Sequence, residues 1–142
     1  ADDTLTQEFL TRHLGILISV CHAVAYAHSR GIAHLDLKPA QVIVGEFGEV
    51  YLMDWGMAAR LNEQVPGEVR LAAAIDAPFG TPGYLAPEQA YGDGDALGVT
   101  TDVYLLGGLA YHIVAGHPPH GFRGWEDGLA AGRRNAVLPL PP

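Results

Sequence analysis

Asp36 and Lys38 stand two residues apart in the run His34-Leu35-Asp36-Leu37-Lys38-Pro39-Ala40-Gln41. A second carboxylate, Asp54, opens the turn Asp54-Trp55-Gly56. Between them lie two apolar runs, Val42-Ile43-Val44 and Val50-Tyr51-Leu52-Met53, separated by Gly45-Glu46-Phe47-Gly48. Two short apolar segments joined by a glycine-bearing connection predict a β-hairpin. A hairpin returns the chain on itself, so it brings Asp54 back towards Asp36 and Lys38. Two acids and an ammonium converging beside a rigid hairpin suit the metal-assisted transfer of a charged group.

The flanking elements must hold that loop. Thr4, followed three residues on by Gln7, reads as a helix start. Phe9, Leu10, Leu14, Leu17, Ile18, Cys21, Val24 and Ala25 then recur at helical spacing. This helix should stop near Arg30, with Gly31 as its left-handed cap. A second apolar helix is predicted from Asp102 to Ala115, capped by Thr100 or Thr101 and ended by Gly116 and Pro118-Pro119. It is apolar on nearly all faces, which predicts burial all round. A short third helix is expected from Trp125 to Gly132. Met57 to Phe79 has no sustained periodicity and reads as a mostly exposed loop, with a helical turn at Ala72-Ala73-Ala74. Tyr91 to Gly98 is turn-rich, and Leu138 to Pro142 reads as a loop. The fold class is α+β, mostly α.

Length and composition narrow the function further. A chain of 142 residues makes at most one ordinary domain, and 49% hydrophobic content is enough for a core. A formal net charge of −8 argues against a nucleic-acid partner, because phosphate backbones call for a basic surface. The single cysteine, Cys21, excludes an internal disulfide and suits a reducing, cytoplasmic setting. Ala1-Asp2-Asp3 opens acidic and polar, unlike a secretory signal. The apolar runs Leu14 to Ala27 and Val103 to Ala115 read as buried helices too short to span a bilayer, so no membrane segment is expected within the chain.

The loop and turn resemble the catalytic loop (H-R-D-L-K-P-x-N) and metal-binding turn (D-F-G) of protein kinases. Gly80-Thr81-Pro82-Gly83-Tyr84-Leu85-Ala86-Pro87-Glu88 resembles the end of the kinase activation segment, with its A-P-E. Asp102-Val103-Tyr104-Leu105-Leu106-Gly107 resembles the start of the central helix of the kinase C-lobe. Four such motifs in the right order identify the chain as similar to bacterial-type serine/threonine protein kinases. The resemblance implies a partial kinase catalytic domain over residues 1–142: a C-lobe with helices around a small β-hairpin. Its catalytic loop would be 34–41, its metal turn 54–56, its activation segment 54–88 and its central helix 102–115. The glycine-rich phosphate loop, the V-A-I-K lysine and the partner glutamate of the family's N-lobe have no counterpart in these residues, so a missing N-lobe is an expected partner.

By resemblance, Asp36 orients the hydroxyl of a Ser or Thr acceptor in a protein substrate, and Lys38 neutralises charge on the γ-phosphate of ATP. Asp54 ligates Mg²⁺, whose preference is for hard oxygen ligands. Gln41 stands where the family has a metal-binding Asn; its longer amide is a candidate ligand to a second Mg²⁺ and a candidate contact to the nucleotide. Thr81 matches the threonine that bonds near the catalytic acid and lysine, which favours Ser/Thr over Tyr as acceptor. Asp102 would brace the catalytic loop, His34 would be a packed histidine, and Trp55 would be a core aromatic. Glu88 looks like the structural acid of A-P-E, whose arginine partner falls in a motif this chain does not contain. Outside the resemblance, Asp36 and Asp54 read as loop and turn acids, Lys38 as a solvated lysine, Thr81 as a turn residue, and His117-Pro118-Pro119-His120 as a proline-rich loop. Leu35 replaces the arginine that contacts the phosphate of an activation loop, and Met57 to Phe79 holds no Ser, Thr or Tyr. The two absences agree on an enzyme not switched by phosphorylation there. The expected function is transfer of the ATP γ-phosphoryl group to protein Ser/Thr hydroxyls, weak or absent in this portion alone. A non-catalytic pseudokinase-like interaction module is the alternative, and a small-molecule phosphotransferase fits less well because the peptide-positioning segment Gly80 to Glu88 is present.

Overall fold

The computed structural model describes residues 5–142. Helix α1 spans Gln7–Ser29, and its cap is Thr6, whose Oγ1 accepts a hydrogen bond from the Phe9 N–H at 3.1 Å. The expected cap, Thr4, lies outside the described residues. The helix ends at Arg30, and Gly31 follows with φ +73°. A Cβ there would meet Val65 Cγ2 at 2.5 Å, so both the turn and the close approach of the later loop require glycine.

Two small antiparallel sheets follow. Strand β1 (Ile32–Ala33) pairs with β4 (Ala59–Arg60), Ala33 opposite Ala59. Strands β2 (Val42–Val44) and β3 (Val50–Leu52) form the expected hairpin, with Val42 opposite Leu52. Strand β4 falls inside the stretch read as an irregular loop; two residues are too few to show an alternating pattern. The turn at Ala72–Ala74 is a 3₁₀ helix, as expected. Helix α2 (Pro87–Tyr91) starts at the proline of A-P-E, where a missing N–H costs nothing.

Helix α3 spans Val99–Ala115 and starts earlier than expected. Gly98 is its N-cap, and Thr101 Oγ1 accepts from the Gly98 N–H at 3.1 Å. Helix α4 spans Trp125–Arg133. Its Gly128 lies against Pro82, where a Cβ would clash, so α4 packs directly on the stretch Gly80 to Glu88.

Helices α1 and α3 pack together. Val20 and Val24 of α1 join Leu37, Tyr84, Leu105 and Leu109 in one buried cluster. Each such aliphatic side chain contributes about 1.5–3 kcal/mol on burial. A second cluster unites Ala33, Leu35, Ala59, Ala72, Phe79 and Leu97, and a third Leu85, Ala90 and Leu129. Neither long helix is buried all round, contrary to expectation. Ile18 is 56% exposed and Tyr26 70% on α1, and Val103 is 57% exposed on α3. An apolar face in the sequence does not say whether a neighbour covers it. Helix α1 is also longer than its apolar run: by length and composition it could cross a membrane, although here it is seated against α3 and β3.

Candidate active site

The loop 34–41 is fixed by buried polar groups. Asp102, fully buried on α3, accepts from the His34 N–H (Oδ2, 2.8 Å) and the Leu35 N–H (Oδ1, 2.8 Å). His28 Nε2 lies 2.7 Å from Asp102 Oδ2 and donates a third bond from α1. Leu35 sits at φ +66°, a left-handed geometry disfavoured for a branched side chain. Its carbonyl accepts from Gln89 Nε2 at 2.7 Å, while Gln89 Oε1 accepts from the Ala86 N–H at 3.2 Å. Both polar groups of the strained residue are therefore held, one from α3 and the other from α2. His28 and Gln89 lie in stretches that carry the resemblance, but their bracing roles were missed by sequence reasoning, because their partners are 74 and 54 positions away.

His34 is fully buried, as expected for a packing residue. Its Nδ1 accepts from the Asp36 N–H at 3.1 Å, so Nε2 carries the proton and donates to the Met53 carbonyl at 3.0 Å. The Gln41 carbonyl accepts from the Met53 N–H at 2.7 Å. These two bonds tie the catalytic loop to the residue just before Asp54. Trp55 is 38% exposed rather than core; it donates Nε1–H to the Leu52 carbonyl at 3.1 Å and meets His34 edge-on.

The functional side chains converge. Thr81 Oγ1 donates to Asp36 Oδ1 at 2.7 Å and accepts from Lys38 Nζ at 2.8 Å. Lys38 Nζ also lies 3.7 Å from Asp36 Oδ2. Gln41 Nε2 donates to Asp36 Oδ2 at 3.1 Å and reaches Asp54 Oδ2 at 3.4 Å. All five singled-out residues, Asp36, Lys38, Gln41, Asp54 and Thr81, thus form one connected group. An acceptor hydroxyl beside Asp36 would find a carboxylate oriented by Thr81 and an ammonium near the developing charge. Asp54 fits a hard divalent cation: its side chain is exposed, and only the Gly56 N–H (3.2 Å to Oδ1) and Gln41 approach its oxygens. Gln41 turns its nitrogen, not its oxygen, to the carboxylates. Among the described residues no three His, Cys, Asp or Glu side chains cluster as a metal site.

The end of the activation segment is anchored separately. Glu88 Oε1 accepts from Thr101 Oγ1 at 2.7 Å. Arg133 donates Nε–H to the Ala90 carbonyl at 3.0 Å and stacks over Tyr91. His120, fully buried, has its ring nitrogens 2.9 Å from the Leu85 and Ala136 carbonyls, a packing role for that proline-rich loop. Tyr84 Oη and His112 Nδ1 are hydrogen-bonded at 2.6 Å. Burial pushes the Tyr84 phenol up to about 12, so it keeps its proton. Burial, and then the neighbouring His117, holds His112 below its usual 6.5. Arg12 and His13 line the same cleft, of about 470 Å³. A depressed imidazole contributes stability that is whole above the unfolded value near 6.5 and is lost as pH falls through the lower folded value. Urea midpoints should therefore fall more between about pH 7 and 5 in the native chain than in His112→Gln; equal falls would refute this.

Comparison with known proteins agrees with this geometry. The protein kinase domain family matches residues 5–131. The chain is 40% identical over 111 residues to serine/threonine-protein kinase PknD of Protochlamydia amoebophila, covering 70% of this chain and 11% of that protein. It is 39% identical to a probable serine/threonine-protein kinase, CE0033, of Corynebacterium efficiens, covering 89% and 18%. It is 34% identical to serine/threonine-protein kinase PknB of Mycobacterium tuberculosis, covering 92% and 20%. The chain thus spans a tenth to a fifth of the length of these relatives. With the family match running from α1 through most of α4 and over every residue of the Asp36 cluster, the chain belongs to the protein kinase family.

Proposed function

We propose that this chain carries the acceptor-side catalytic machinery of a serine/threonine protein kinase that uses ATP and Mg²⁺. The observation that supports it most is the Lys38–Thr81–Asp36 chain of hydrogen bonds. In the proposed step the acceptor oxygen bonds to the γ-phosphorus as the bond from that phosphorus to the bridging oxygen breaks, and the hydroxyl proton passes to Asp36. Lys38 holds charge on the transferring group. Asp54 would hold the Mg²⁺, which when bound would supply positive charge against the nucleotide phosphates. The threonine between acid and ammonium favours Ser/Thr acceptors in a protein substrate. The lone, partly buried Cys21 is consistent with a cytoplasmic setting.

The reading is tested by phosphoryl transfer from labelled ATP with Mg²⁺ to a generic Ser/Thr protein. The 142 residues hold no glycine-rich phosphate loop, so the chain is assayed alone and with a kinase N-lobe fused in frame. The fused protein should transfer phosphate, the chain alone little or none. Asp36→Asn should lower the fused rate by about 10²–10⁴-fold. Gln41, and the lack of N-lobe motifs in these residues, support the competing reading, a non-catalytic interaction module. A fused protein with no transfer above its Asp36→Asn variant would establish that module instead.

A further inference from the structure

The side-chain amide of Gln41 lies between the two acids of the site, with only 6% of the residue exposed. Ionised carboxylates accept hydrogen bonds and cannot donate them. The edge of the amide that faces both must therefore be the NH₂ group, as the 3.1 Å contact to Asp36 and the longer 3.4 Å contact to Asp54 show. The backbone fixes where the side chain starts. Gln41 closes the 3₁₀ turn Pro39–Gln41; its N–H donates to the Lys38 carbonyl at 3.0 Å and its carbonyl accepts from Met53. From that fixed origin, two methylenes carry the nitrogen into the gap between the carboxylates. There its two polarised N–H bonds face both acids.

We propose that Gln41 is a positioning residue that ties Asp36 to Asp54 through its NH₂ group and is not a metal ligand. A divalent cation is then held through Asp54, and it competes with the Gln41 donor instead of being bound by the Gln41 oxygen. The role of that cation rests on the kinase reading; the amide tie does not.

The two ligand assignments predict opposite results for removal of the amide. Mn²⁺ is the probe, its free concentration read by electron paramagnetic resonance in the presence of the full chain. Asp54→Asn should weaken binding by about fivefold or more, since it removes the oxygen ligand. Gln41→Met keeps the length but has no donor, and should bind Mn²⁺ as tightly as the native chain or more tightly. Gln41→Glu should tighten binding by about tenfold, because carboxylate count sets affinity at such sites. Weakening by about fivefold in Gln41→Met would make Gln41 a ligand and overturn the proposal. A metal-free readout covers weak binding. The Gln41 side-chain NH₂ resonances, identified by their loss in Gln41→Met, should move in both Asp36→Asn and Asp54→Asn. Resonances indifferent to both substitutions would equally overturn it. If the fused protein transfers no phosphate but these shifts are seen, the kinase reading fails and the amide tie stands.

Discussion

Asp102→Ala should destabilise the chain by about 3–5 kcal/mol, the cost of leaving the partners of a buried charge uncompensated. Three donors lose their acceptor at once: the His34 and Leu35 N–H groups and His28 Nε2. Against a typical total stability of about 5–15 kcal/mol, this is a large share. The effect should also be local. The His34 and Leu35 amides should exchange with solvent far faster in the variant while amides near Leu129 on α4 remain protected, because α4 rests on a different cluster. Urea unfolding and amide exchange check both parts. A loss below about 1 kcal/mol would show that water replaces the carboxylate cheaply, and that α3 does not hold the catalytic loop in the way described.

Leu35→Arg is the second large effect. It restores the residue that the family resemblance places before the catalytic acid, yet here it should destabilise by about 3 kcal/mol or more. Leu35 is fully buried against Ala33, Ala59, Ala72, Phe79 and Leu97, an apolar setting in which a guanidinium would lose its hydration. Leu35→Ala should cost about 2–5 kcal/mol through the cavity it leaves. The cluster joins the catalytic loop to β4, the 3₁₀ turn and the end of the loop Met57 to Phe79. That loop is further held by its own arginines. Arg60 Nε donates to the Val69 carbonyl at 3.0 Å, and Arg70 donates to the Met57 carbonyl at 2.8 Å while its guanidinium lies over the Phe79 ring. Apolar packing and arginine–carbonyl bonds thus stand where an arginine–phosphate contact would be, in keeping with a span that has no residue to phosphorylate. Denaturation of the two variants beside the native chain measures the cost. A Leu35→Arg chain as stable as the native one would mean that the loop is not latched through this cluster.

Most of the site was legible because its residues lie close along the chain and in stereotyped turns. Asp36, Lys38 and Gln41 share one loop, and the glycine-bearing connection of the hairpin is a short-range signal. The return of Asp54 follows from strand pairing alone. Thr81 could be named only by resemblance, since nothing local says that a threonine 43 positions from Lys38 will sit 2.8 Å from its ammonium. Strand β4 and helix α2 escaped because two and five residues are too short to show a period. Trp55 was assigned to the core from its type, but the turn at Asp54, at φ +53°, directs it outward.

The sequence by itself determined the helices α1, α3 and α4, the hairpin and the order of the motifs. These follow from local periodicity, capping and turn chemistry, which act over a few residues. Tertiary structure alone decided how Asp102, His28 and Gln89 clamp the strained turn at Leu35, which helix faces stay uncovered, and which end of the Gln41 amide meets the acids. Each of those depends on hydrogen-bond partners far away in sequence, where the direction of a donor is set by packing and not by its neighbours in the chain.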